Sequence, residues 1–197
     1  QNNANKYAES TEMNKYGARF KYSKFLSLID KSSEAITSNI TTINMRRDLR
    51  VVLNSFAEYS IGFGNEFYIK RMSGYNIKSS AFRIAGIMND VYIGDLPNTN
   101  KINGSLFFFT LPSLDSTSPT IVRRNVGTID YKSGVVTLNP VNVQSGMIKD
   151  GQTIIEISAC PLSNDVIGLQ DLYLQLDTSN CTVTMIPDEI SSGTNTS

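Results

Sequence analysis

Short runs of β-branched and aromatic residues recur roughly every 8–15 residues from Asn54 to Met185, each closed by Gly, Asn or Pro. That punctuation points to an antiparallel, sandwich-like β arrangement. Two turns are especially informative. In residues 127–138 (GTIDYKSGVVTL), Lys132-Ser133 followed by Gly134 predicts a three-residue hairpin loop with glycine in the left-handed position. In residues 141–159, Asp150-Gly151 lies between two alternating runs, a strong short-range hairpin signal. Further strands are expected over 66–72, 76–84, 90–94, 105–111, 171–176 and 181–186, with loops at 95–101 and 112–119.

The first third reads differently. Residues 1–15 lack periodicity and are expected to be a flexible lead-in. Residues 18–22 alternate as a short strand, and Ser23 is a candidate N-cap. Tyr22, Phe25, Leu26 and Ile29 then form one helical stripe, which must pack on something because so short a helix is unstable alone. From Ala35 a strand is expected, with Ile36 and Ile40 on one face and Ile43 and Met45 on the other. Arg46, Arg47, Asp48 and Arg50 follow as a charged cluster, either a solvated strand end or a polar contact to a partner chain. The expected organisation is a lead-in (1–15), a strand-helix-strand α+β segment (16–60), a β-rich domain (61–190) and a polar tail (191–197). The fold class is therefore α+β, predominantly β, with one short N-terminal helix before the antiparallel sheets.

Composition removes many chemistries. The chain has no His, so it has no Ser-His-Asp triad, no Cys-His dyad and no imidazole metal ligand. Two Cys, at 160 and 181, cannot build a four-cysteine site and read as small buried thiols, with a disulfide between neighbouring strands as the alternative. Ser, Thr and Asn together make roughly 30% of the chain, a hydroxyl- and amide-rich mix. The 18 basic and 18 acidic residues cancel, which argues against nucleic acid or an anionic membrane as partner. No apolar run approaches the roughly 20 residues that span a bilayer, and the polar start without Met reads as a fragment of a longer protein. Gly62 and Gly64 lead into β residues rather than a helix, so they form no phosphate loop. Asp90 and Asp95, and Asp165, Asp171 and Asp177, read as turn and strand-edge carboxylates. No catalytic, cofactor-binding or metal-binding residue is assigned. The run Phe107, Phe108, Phe109 puts rings on both faces of a strand. It is either buried between layers or turned on one face to another subunit.

Residues 15–49 (KYGARFKYSKFLSLIDKSSEAITSNITTINMRRDL) resemble the baseplate wedge protein, the gene product six family, of T-even-type contractile-tailed bacteriophages. The residues that carry this are Phe20, Tyr22, Ser23, Phe25, Leu28, Ile29 and Asp30, then Ser38, Asn39, Ile40 and Thr41. Residues 127–138 and 161–177 are similar to later segments of that family, which is related more loosely to baseplate J proteins. The resemblance implies a non-enzymatic structural component towards the C-terminal side of such a protein. It implies dimers and a ring around the tail that opens as the sheath contracts. The implied partners are copies of itself and other wedge proteins, with no nucleic acid, membrane or cofactor. The implied place is the virion tail baseplate, assembled in the host cytoplasm. Candidate contact residues are Phe107, Phe108, Phe109, Arg46, Arg47 and Arg50.

Two other readings remain in play: a carbohydrate- or receptor-binding β module, and a hydrolase using Asp90 and Asp95. The neutral total hides a polarity. Residues 151–197 carry six acidic groups and no Lys or Arg, a net of −6, leaving +6 on residues 1–150. Such asymmetry can register one subunit against the next.

Overall fold

The computed structural model describes residues 2–70, 75–112, 119–169 and 174–187. It is mostly β, with antiparallel sheets behind a short helical start, as the sequence implies. Helix α1 (Asn2–Ala8) is followed by β1 (Arg19–Phe20) and α2 (Tyr22–Asp30). The strands that follow are β2 (Met45–Arg50), β3 (Phe56–Gly62), β4 (Lys78–Ser79), β5 (Arg83–Ile84), β6 (Tyr92–Pro97) and β7 (Asn103–Thr110). The last are β8 (Thr120–Asp130), β9 (Val135–Ser145), β10 (Met147–Lys149), β11 (Gln152–Ala159) and β12 (Val166–Ile167).

The larger sheet runs β3-β9-β8-β7-β6, and the smaller runs β10-β11-β2 with β4 also on β11. Their apolar faces share one core: Ile93, Leu106, Phe108, Ile129, Val136 and Leu138 from the first, Met45, Leu49, Ile155 and Ile157 from the second. Both hairpins form. Between β10 and β11, Lys149 faces Gln152 and the turn residues Asp150 and Gly151 have φ of 50° and 72°, the double left-handed turn expected of Asp-Gly. Between β8 and β9 the loop covers residues 131–134, one residue longer than expected, with Gly134 at φ 67°. The Asp130 carboxylate accepts the N–H groups of Lys132 and Ser133, and hydrogen bonding from the Ser133 side chain, then from these N–H groups, holds its pKa below the usual value.

The N-terminal segment is tied into the sandwich. Residues 2–8 are helical rather than a loose lead-in, and Tyr7 and Met13 are buried in the common core with Phe20 and Phe25. Tyr7, Phe20 and Phe25 meet ring to ring at 5.4–5.8 Å. Of the expected stripe on α2, Tyr22, Phe25 and Ile29 lie on the core, but Leu28 takes the fourth place there instead of Leu26. Ser23 does not cap it. The helix starts at Tyr22, whose N–H donates to Asp165 Oδ1 at 2.8 Å, so the cap comes from far along the chain. β1 pairs with β12 beside it, Arg19 facing Ile167 and Phe20 facing Val166. Asp165→Ala is therefore expected to destabilise the chain by about 1 kcal/mol in urea denaturation, more than Ser23→Ala.

Other expected strands move. Residues 35–44 carry no strand, and Ile40 is 98% exposed. The strand forms instead from Met45 to Arg50, through the charged cluster, because β11 offers it a partner there. Over 66–72, Phe67 makes only an isolated bridge to Pro161, and residues 71–72 lie outside the described residues. β6 extends to Pro97, into the expected 95–101 loop. Residues 174–177 and 181–187 form no strand, while 171–173 and the tail 191–197 lie outside the described residues. Cys160 and Cys181 are free and half-buried rather than fully buried.

Candidate interaction site

The aromatic run lies inside the chain. Phe107, Phe108 and Phe109 are 8%, 1% and 3% exposed. Alternation along β7 sends Phe108 into the common core, edge-on to Phe82 at 5.6 Å. Phe107 and Phe109 go to the opposite face, where Tyr75 covers both at 6.0 and 4.9 Å and Tyr92 stacks on Phe109 at 5.5 Å. Phe107 faces Gly94 across the ladder, and a Cβ there would come within 2.6 Å of its ring, so this glycine makes room for it. Each ring thus has its partners from this chain.

The basic strand β2 is an edge strand. Met45 and Leu49 turn inward, and Arg46, Asp48 and Arg50 turn outward. Arg46 pairs with Glu156 at 3.3 Å and Asp177 at 2.9 Å, and Asp48 with Lys149 at 2.5 Å. Arg47 lies on the inward side and its guanidinium donates to the Gly62 carbonyl. Arg50 is exposed and has no ion pair among the described residues. Charged side chains on such an edge discourage unspecific strand pairing.

Asp177 ties the chain around residues 174–180 to this strand. Ser179 and Asn180 hydrogen-bond its carboxylate and Arg46 adds attraction, which lowers its pKa to about 2. Because the folded pKa is depressed, its stabilisation is full above the unfolded value near 4 and is lost as pH falls towards 2. An NMR pH titration is expected to place the Asp177 carboxyl at about 2, and Arg46→Ala to move it upward.

A buried polar centre joins the two sheets. Asp95 is 2% exposed on β6. Its Oδ1 accepts the N–H groups of Asn76 and Ile77, both at 2.6 Å, and its Oδ2 accepts the Tyr131 hydroxyl at 2.7 Å. Burial, with the Asp95 charge, pushes the Tyr131 hydroxyl pKa strongly upward. The Asn76 amide donates to the carbonyls of Tyr68 and Cys160 and accepts the Cys160 N–H. With every oxygen occupied by structural donors, this carboxylate is a brace, not a base facing a substrate. Asp90 is exposed, paired with Arg83 at 2.8 Å, and does not join it. Asn76 opens the expected strand 76–84, and nothing in its local pattern marks it as part of a buried network.

A cleft of about 190 Å³ runs between Met13 and Phe20, Met45 and Arg47, and Leu174 and Leu176. It is smaller than the roughly 300–1,000 Å³ of small-molecule pockets and marks the seam between the N-terminal segment and the sandwich. Among the described residues, no three His, Cys, Asp or Glu are placed to hold a metal ion, and no helix is long and apolar enough to cross a membrane.

That N-terminal segment has a known counterpart. Residues 1–48 match the family described as baseplate structural protein gp6, C-terminal domain III. The match supports a gp6-like baseplate structural protein. It covers 48 of 197 residues: α1, β1, α2 and the first part of β2. The motif at 15–49 falls almost wholly within it. No curated protein matches the chain.

Proposed function

We propose that this chain is a non-enzymatic component of a phage tail baseplate wedge. It makes subunit contacts, dimeric and around a ring, that hold the baseplate together and rearrange as the sheath contracts. The observation that carries this is the gp6 match over residues 1–48. Its weight extends to the rest of the chain because the matched segment is not separable: β1–β12 pairing, the Asp165 cap and shared core residues bind it to the sandwich. The partners are other copies of this chain and other wedge proteins, in the virion tail after assembly in the host cytoplasm. Arg50 and the outward face of β2 are contact candidates. The aromatic run acts by stiffening the block that carries them. Rearrangement then needs interfaces of comparable stability in two arrangements rather than a reaction. Sedimentation velocity over rising concentration is expected to show reversible self-association. A strict monomer at every concentration argues against contacts made by this chain with itself.

A further inference from the structure

One strand edge of the larger sheet is left open. β9 pairs with β8 only across residues 127–130, after which β5 takes that side of β9, with Arg83 facing Ser145 and Ile84 facing Val143. β8 bends away at Asn125, which has φ 54°, and the Asn139 amide donates to the Asn125 carbonyl at 3.2 Å where the strands part. Residues 120–125 keep β7 on one side, where Thr120 faces Thr110, Ile121 faces Phe109 and Arg123 faces Phe108. On the other side no strand pairs with them among the described residues. All six are exposed, Ile121 at 37% and Val122 at 39%, and Arg123 and Arg124 make no ion pair among the described residues. Unpaired N–H and C=O groups in this arrangement are a template for strand addition.

A strand without a sheet lies elsewhere in the same chain. Residues 181–187 (CTVTMIP) have the β-branched alternation of a strand yet pair with nothing among the described residues. Val183, Met185 and Ile186 are 71%, 86% and 85% exposed. The root of this arm is fixed on the smaller sheet by Asp177 and Arg46, whereas the open edge is on the larger one. At about 3.3 Å per residue, arm and edge are each roughly 20 Å long. The sequence continues with Asp188-Glu189, and no Lys or Arg follows Lys149.

We propose that residues 181–187 of one copy add as a strand to residues 120–125 of a second copy. The inference rests on the assembly reading above and names its contact. Backbone bonds supply the pairing; Val183 and Met185, on one face of the arm, meet Ile121, while Thr184 and Ile186, on the other, meet Val122. Arg123 and Arg124 admit an acidic arm and repel a basic one, so the charge asymmetry becomes a selectivity device. Mutual exchange closes a two-fold dimer, and one-way addition from copy to copy builds a ring.

Single-cysteine variants of the 197-residue chain test this, with Cys160→Ser and Cys181→Ser as background. Mixing Val122→Cys with Thr184→Cys under mild oxidation is expected to give a covalent dimer of one chain of each kind. Thr184→Pro removes a strand N–H at an exposed position, and Arg123→Glu with Arg124→Glu reverses the edge charge. Each is expected to weaken self-association by roughly tenfold or more with unchanged thermal stability, and Asp188→Lys with Glu189→Lys to restore the charge-reversed edge. Cross-linking only inside one chain carrying both cysteines overturns the proposal, the arm then lying on its own edge. Self-association of unchanged affinity in the proline variant overturns the arm contact while leaving the assembly reading standing. A strict monomer in every form overturns both.

Discussion

Asp95→Ala is expected to destabilise the chain by about 3–5 kcal/mol, because it strands three buried donors at once. Asn76 N–H, Ile77 N–H and the Tyr131 hydroxyl all point at this carboxylate, and at 2% exposure water cannot replace it. Asp95→Asn keeps the shape but loses the charge and presents an NH2 group to donors, so it recovers only part of the loss. Tyr131→Phe removes one of the three bonds and is expected to cost about 1.5–3 kcal/mol. Urea denaturation at neutral pH checks the order: midpoints should fall from wild type to Tyr131→Phe to Asp95→Ala, with an unchanged slope. An Asp95→Ala midpoint close to wild type would mean that the carboxylate is not the brace of this core.

Phe108→Ala is expected to cost about 3–5 kcal/mol, the usual range for deleting a fully buried ring and leaving a cavity. Phe108 is 1% exposed and packs edge-on against Phe82, between the two sheets. A second readout separates packing from contact. The fraction that stays folded should self-associate with wild-type affinity, because the ring touches this chain's own core. Weakened association at unchanged stability would instead place Phe108 at a subunit interface.

What was legible in the sequence was local. Asp150-Gly151 and Gly134 specify their turns through backbone conformations that few residues adopt, so both hairpins read directly. The stripe of Tyr22, Phe25, Leu26 and Ile29 read as a helix face through its spacing, and three of the four lie on the core. Long-range pairing was not legible. Residues 35–44 have strand-like composition but meet no partner. Met45–Arg50 has four charges in six positions, yet becomes a strand because β11 lies beside it in register, Met45 to Ala159. The cap on α2 comes from Asp165, so no local rule finds it. Asp95 reads as a turn carboxylate until the fold delivers Tyr131 and the Asn76 backbone to it. Of the candidate contact residues, the arginines fall within a paired strand rather than after one, with Arg47 turned inward to the Gly62 carbonyl, while the three phenylalanines meet Tyr75, Tyr92 and Phe82, from parts of the chain the run itself does not reveal.

Hydrogen–deuterium exchange of the whole chain at low and high protein concentration tests assembly through strand edges most directly. Amides in residues 120–125 and 181–187 are expected to slow together as concentration rises, while those of residues 107–109 stay equally protected at both. A sample that self-associates while residues 120–125 and 181–187 keep exchanging at the low-concentration rate would contradict it.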